Sequence, residues 1–260
     1  MLEDYLKRYQ KAIQNGYETV KYDVQAIRER DPAARNDAEV LLLYSGLHAL
    51  MGYRLSHALY RKKAFFAARL VSQTARFLTG IEIHPGAEIG KGLFIDHGSA
   101  VVIGETTVIG DDCTIYQGVT LGGTGKHTGK RHPTLGNRVM VGAGAKVLGP
   151  FQVGDGAKIA AGAVVLSEVP QNTTAVGVPA RIIRKDLGAE EMDQIHIPDP
   201  VSQELCRLEK KIRELEKRLD AANAATGALN LPEKGAKSEK HAVKSLEKGA
   251  KSGAKKEQGK

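Results

Sequence analysis

The sequence predicts an α+β protein: a helical N-terminal domain, a parallel β-helix of six-residue repeats, then a C-terminal helix and a disordered tail. Three observations carry this. An aliphatic residue recurs every six positions through the middle of the chain, apolar residues before it follow helical spacing, and residues after it pass from a short leucine stripe into Lys-rich low complexity. The expected divisions are 1–79 (helical), 80–185 (β-helix), 186–202 (linker), 203–222 (amphipathic helix) and 223–260 (tail).

In the helical part, Asn36-Asp37 supplies an N-cap for a helix through Val40, Leu41, Leu43, Tyr44, Leu47, Leu50 and Met51. Phe66, Leu70, Val71, Thr74, Phe77 and Leu78 mark a second helix, stopped at Thr79-Gly80 by a glycine suited to a C-cap. Asp31-Pro32 breaks the chain between helices, because proline disfavours helical angles at the residue before it.

The repeat begins at Ile83 and continues at Ile89 and Ile95. After a slip of two residues it resumes at Ile103, Ile109, Ile115 and Leu121, and after eight extra residues at Leu135, Val141, Val147, Val153, Ile159 and Val165. The fourth residue after the aliphatic is usually small, as at Ala87, Ser99, Thr107, Cys113, Ala145, Ala157 and Ala163. A period of six fits neither the helical 3.6 nor the alternation of a hairpin strand. It fits a short strand plus a corner, three of which close one coil. Aliphatics stack inside, and each coil buries its inner face only against its neighbours. The thirteen units supply about four coils.

Beyond the repeat, Ile197-Pro198-Asp199-Pro200 reads as a linker. Leu205, Leu208, Ile212, Leu215 and Leu219 then alternate steps of three and four, the stripe of a coiled coil joining subunits or of a helix lying on its own subunit. Residues 227–260 contain Glu-Lys-Gly-Ala-Lys-Ser twice and read as disordered.

Composition removes several classes of function. The net charge of +8 resides mainly in residues 233–260, whose nine Lys and four Glu give +5 and leave +3 elsewhere. Basicity confined to a tail is no nucleic-acid groove. No run of eighteen apolar residues is present, so no membrane span is expected, and the charged N-terminus lacks the apolar segment of a secretion signal. Cys113 and Cys206 read as reduced thiols of a cytoplasmic protein.

A coil admits insertions only at its corners, and functional groups concentrate on such loops. The first break in register contains Ile95-Asp96-His97-Gly98, and the second holds Gly122 to Pro133. A histidine near neutral pKa is suited to remove a hydroxyl proton, and a carboxylate on its other nitrogen fixes its tautomer. His97 and Glu82 are fifteen residues apart, close to the eighteen of one coil, which is compatible with such a pair. The Gly-rich stretch 122–125 lacks the pattern and following helix of a phosphate loop. Cys113 occupies a small corner position, as packing and not as a nucleophile.

The repeat over 81–169, with the ending Val-Pro-Gln-Asn-Thr-Thr-Ala-Val-Gly-Val-Pro-Ala-Arg (169–181), resembles the hexapeptide-repeat acyltransferases. Ile81-Glu82-Ile83-His84-Pro85, Ile95-Asp96-His97-Gly98, Val102-Ile103-Gly104-Glu105-Thr106, the Gly122–Lys126 stretch and Arg131-His132-Pro133 narrow this to the serine O-acetyltransferases, as does the helical segment Asp23–Ala33. The resemblance covers roughly residues 20–184. It implies left-handed coiling, which spacing alone does not give, and acetyl transfer from acetyl-CoA to L-serine as the first step of cysteine biosynthesis.

Carried over by position, it implies His97 as general base, with Glu82 standing where many members carry Asp as its partner. Asp31 and Asp96 would hold the amino group of serine; Arg131 and His132 would hold its carboxylate. Gly123, Ala143, Lys158 and Ala161 would lie along the acetyl-CoA. No metal and no tightly bound cofactor is implied; acetyl-CoA is a cosubstrate. A homotrimer or a dimer of trimers is implied, with sites between subunits and cysteine as feedback inhibitor. Members that bind cysteine synthase do so through a C-terminal peptide ending in Ile; this sequence ends in Lys260, a departure that argues against that complex. Three other readings compete. Sugar and antibiotic acetyltransferases share the repeat but not the helical segment, a β-helical zinc carbonic anhydrase needs three converging His, and a non-catalytic scaffold need not retain His97 and Arg131.

Overall fold

The computed structural model describes residues 2–125, 128–184 and 200–226. They fall into two units, within Met1–Gln203 and Glu204–Lys260. Most of the expected linker (186–202) and tail (223–260) lies outside the described residues, as do Lys126 and His127 in the second break, while residues 200–202 and 223–226 are helical instead.

Four helices open the first unit: α1 (Leu2–Arg30), α2 (Asp37–Leu43), α3 (Ser45–Arg61) and α4 (Phe65–Thr79). Asn36 caps α2, its side-chain Oδ1 accepting from the Glu39 amide at 2.9 Å. Gly80 ends α4 in the left-handed conformation, φ 73°. The single helix expected from Asn36 to Met51 is instead two, broken at Tyr44, whose backbone is extended (φ −86°, ψ 106°). The break has a tertiary cause. Gly46, just beyond it, lies so close to the backbone oxygen of Ile95 that a side chain would collide there. Tyr44 itself donates a hydrogen bond to Asp31 Oδ2 at 2.6 Å.

Thirteen short strands follow, and each contains one of the repeat's aliphatics. They are β1 (Glu82–Ile83), β2 (Glu88–Ile89), β3 (Phe94–Ile95), β4 (Val102–Ile103), β5 (Val108–Ile109), β6 (Thr114–Ile115), β7 (Thr120–Gly122), β8 (Thr134–Leu135), β9 (Met140–Val141), β10 (Lys146–Leu148), β11 (Gln152–Val153), β12 (Lys158–Ile159) and β13 (Val164–Val165). Every third strand pairs in parallel, giving three faces of a prism. Sheet A holds β1, β4, β7, β10 and β13; sheet B holds β2, β5, β8 and β11. Sheet C holds β3, β6, β9 and β12, extended by β14 (Thr173–Val176) and the antiparallel β15 (Arg181–Arg184). The register repeats the sequence spacing: Ile83 pairs with Ile103 across the slip, Ile103 with Leu121, and Leu121 with Val147 across the insertion. A fifth coil closes beyond the thirteen units, where Val169 bridges to Val153 and Ala175 pairs with Ile159.

The inward aliphatics form one continuous core. Removing each such side chain from water contributes about 1.5–3 kcal/mol. The small corner positions Ala87, Thr107, Cys113, Ala145, Ala157 and Ala163 are fully enclosed. Ser99 is exposed, because the two-residue slip hands its place to buried Val101.

Helix α3 closes the first coil. Ala49, Leu50 and Tyr53 join the β-helix core, and hydroxyls of Tyr53 and Ser72 donate to the carbonyls of Ala87 (2.6 Å) and Ile83 (2.8 Å). Helix α1 is tied to the corner between sheets B and C. Arg30 donates to the carbonyls of Gly92, Asp112 and Cys113 and to Thr114 Oγ1, the last three at 3.0–3.1 Å. Buried Asp23 accepts from the Gly92 amide at 2.8 Å and pairs with Arg54 of α3. A second core of Val24, Ile27, Val40, Leu47 and Phe94 fills the space beneath.

Candidate active site

Two corners of the prism carry the candidate residues. The corner from sheet C to sheet A holds Asp96 and His97, directly after β3. His97 is exposed and takes a left-handed backbone (φ 56°), followed by Gly98 at φ 72°. A left-handed non-glycine residue costs on the order of 1 kcal/mol or more, and such strain clusters at functional sites. Gly98 cannot be replaced freely, since a Cβ there would stand 2.5 Å from Ile81 Cδ1.

Asp31 reaches the same corner from α1, because Arg30 and Asp23 fix the end of that helix on the coil. Burial, with the nearby Asp31 charge, raises the pKa of Asp96 above the usual carboxylate range, against the opposing pull of His97. Tyr44 is pushed up to about 12, by burial first and then by its bond to Asp31. Tyr116, at the same corner one coil on, is raised by burial and by Asp96 and Asp31. Two carboxylates and two neutral phenols thus gather at one corner, and its negative charge is suited to a cationic group. Neither tyrosine was legible as a site residue, Tyr44 being read only as an apolar position of a continuous helix.

Further along this edge, each corner hangs from the previous one: Gly118 N donates to Ser99 O, Gly144 N to Gln117 O and Gly162 N to Ala143 O, all at 2.8 Å. Ala143 and Ala161 lie here, and Gly144 and Gly162 have open space where a side chain would begin. Lys158 lies on the adjoining face of sheet C, in β12.

The corner from sheet A to sheet B holds the second set. Arg131 pairs with Glu105 Oε2 at 2.5 Å, and Glu105 also accepts from Tyr60 of α3 at 3.3 Å. Burial of Glu105 opposes its ionisation, but the bonds from Arg131 and Tyr60 and the nearby His84 outweigh it and lower the pKa. Nδ1 of His132 accepts from the Thr106 amide (3.2 Å) and faces the Thr106 hydroxyl (2.9 Å), whose oxygen accepts the amides of Arg131 and His132. With Nδ1 occupied as acceptor, the ring is neutral and carries its proton on Nε2. Burial, reinforced by Arg131, lowers its pKa; burial and Arg69 do the same for His84. Gly123 stands at the root of this loop against the Arg131 side chain, where an added Cβ would lie 3.0 Å from Arg131 Cγ.

A pH dependence follows. Between the lowered folded-state value and the unfolded 6.5, the unfolded chain binds a proton at His132 that the folded chain refuses. Stability is therefore lost as pH falls through this window. His132→Gln keeps an acceptor for Thr106 but removes the proton site. The difference in Tm between wild type and this variant should shrink from pH 7.5 to 5.5; a constant difference would show that His132 binds its proton equally in the folded and the unfolded chain.

Glu82 lies on sheet A, between the two corners, and pairs with Arg76 of α4 at 3.3 Å. No hydrogen bond or ion pair joins it to His97 among the described residues. Cys113 is buried, its thiol pushed up to about 11 by burial, and it donates to Gly136 O at 3.1 Å, the chemistry of an inert packing group.

The comparisons with known proteins agree with this architecture. A family model described as serine acetyltransferase, N-terminal, matches residues 1–52, and one described as bacterial transferase hexapeptide (six repeats) matches residues 132–167. A serine acetyltransferase of Bacillus licheniformis is 53% identical over 210 residues, covering 78% of this chain and 95% of the relative. This chain belongs to the serine acetyltransferase family. The Helicobacter pylori member is 67% identical over 167 residues, 64% of this chain and 98% of that relative. Among solved structures, the serine acetyltransferase of Neisseria gonorrhoeae superposes with a TM-score of 0.66 at 42% identity, covering 72% of this chain and 74% of that one. A serine acetyltransferase in complex with cysteine gives 0.70 at 42% identity, over 75% and 77% of the two chains. The prism is therefore the left-handed parallel β-helix of this family, and the protein is an acyltransferase.

Proposed function

We propose that this family member transfers the acetyl group of acetyl-CoA directly to the hydroxyl of L-serine, at a site completed between neighbouring copies of a homotrimer. One observation carries the reading. The acidic corner (Asp31, Asp96, His97) and the basic corner (Arg131, His132) flank the same sheet A, six residues apart along the coil, roughly 15–20 Å at strand rise. Serine presents its ammonium and carboxylate only a few ångströms apart, so one chain does not offer it both corners. Three copies around an axis facing sheet A would set the acidic corner of each against the basic corner of the next.

In this arrangement Asp31 and Asp96 hold the ammonium and Arg131 and His132 the carboxylate, leaving the hydroxyl at His97. The imidazole takes the hydroxyl proton as the oxygen attacks the thioester carbonyl. The tetrahedral intermediate collapses with loss of the CoA thiolate, which takes that proton from His97. Glu82 is the carboxylate proposed to steady the imidazole. The pantetheine arm follows the small residues Ala143 and Ala161 below His97, with Gly123 and Lys158 nearby. No activated thiol takes part, in keeping with direct transfer in a ternary complex.

The test is complementation. His97→Ala and Arg131→Ala should each be nearly inactive, yet mixed, unfolded and refolded together they should regain about a quarter of wild-type sites, those joining two intact corners. No regain would end the shared-site reading. Cysteine, found in the complex of a relative, would occupy the same pocket, since its ammonium and carboxylate match those of serine. Inhibition competitive with serine is expected; a rate indifferent to cysteine would exclude it.

A further inference from the structure

The second unit holds a surface that acetyl transfer does not use. Within α5 (Pro200–Thr226), Leu205, Leu208, Ile212, Leu215 and Leu219 form one stripe, each 47–61% exposed. A helix of this length gains little from propensity alone and is stabilised by burying its apolar face. In heptad terms Leu205, Ile212 and Leu219 occupy a, and Leu208 and Leu215 occupy d. Glu209 and Glu216 then flank the stripe at e, and Glu204, Lys211 and Arg218 at g. Within the helix itself, Arg213 lies 3.7 Å from Glu209 and Arg218 2.5 Å from Glu214.

The flanking charges select a direction. A parallel, in-register neighbour sets g against the e position five residues on, so Lys211 meets the partner's Glu216 and Glu204 meets the partner's Glu209, one attraction against one repulsion. An antiparallel neighbour sets e against e and g against g, bringing glutamates together on one side and Lys211 against arginine on the other. We propose that α5 forms a parallel coiled coil with two further copies of this chain. The number of strands rests on the trimer proposed above; the parallel direction stands on the pattern of α5 alone.

The full-length chain provides the test. Leu208→Lys with Leu215→Lys should raise the concentration at which the assembly dissociates, followed by sedimentation on dilution, by roughly tenfold or more. An unchanged dissociation would overturn the proposal. In a second variant, Leu219→Cys in a Cys206→Ser background, mild oxidation should link chains to one another. In an antiparallel pair centred on Ile212 the two positions would lie about 21 Å apart, beyond the reach of a disulfide. A trimeric wild type without this link overturns the coiled coil and leaves the shared active site standing. A dimeric wild type with the link overturns the three-stranded assembly and the trimer reading together.

Discussion

Replacing His97 by alanine should lower turnover by about 10²–10⁴-fold, the usual contribution of a positioned acid–base group. The fold should survive, because His97 is exposed and its ring supports no buried contact. Removing a strained left-handed side-chain conformation does not relieve the backbone, so Tm should change little. Thiol release from acetyl-CoA, measured with serine as acceptor, reads the loss directly. Near-normal turnover would remove His97 from the chemistry and transfer attention to His132. That alternative has its own signature. His132 is already neutral with Nδ1 occupied by Thr106, so its substitution should affect the apparent KM for serine more than kcat.

The second large effect is expected at Arg30. Its guanidinium holds three carbonyls and a threonine hydroxyl across the gap between α1 and the β-helix. Arg30→Ala leaves those carbonyls short of a charged donor and should cost about 3–5 kcal/mol, or roughly 6–20 °C in Tm. Because Asp31 is the next residue, loosening α1 also moves that carboxylate relative to Asp96. The apparent KM for serine should rise as well. Arg30→Lys, with a point charge in place of a planar fork, should restore only part of either property. A variant with unaltered Tm would show that the second core, around Ile27 and Phe94, fixes α1 without help.

Much of the β-helix was legible because its period is unlike any other. Each of the thirteen aliphatics is the inward residue of its strand, and the two register breaks mark the two corners where the candidate residues gather. The break at Tyr44 was not legible. Val40, Leu47 and Leu50 keep helical spacing across it, and only the approach of Gly46 to Ile95, nearly fifty residues away, interrupts the helix. The pairing of Glu105 with Arg131 also escaped the reading, yet its signal was present. One coil plus the eight-residue insertion is twenty-six residues, the offset that sets Ile109 beside Leu135. The same offset takes Glu105 to Arg131 and Thr106 to His132. Tyr60, which joins that pair from α3, has no such arithmetic, since its position depends on how the helix lies over the first coil.

A stack of coils has no intrinsic end. Its terminal rungs present peptide groups on which another stack can grow, as exposed sheet edges do in fibres. Here the upper carbonyls are already spoken for: Ile83 by Ser72, Pro85 by His57, Ala87 by Tyr53 and Gly92 by Arg30. At the other extremity β15 turns back antiparallel along β14 and interrupts the parallel order of sheet C. Both termini of the prism are thus denied as templates, and association is left to its flanks.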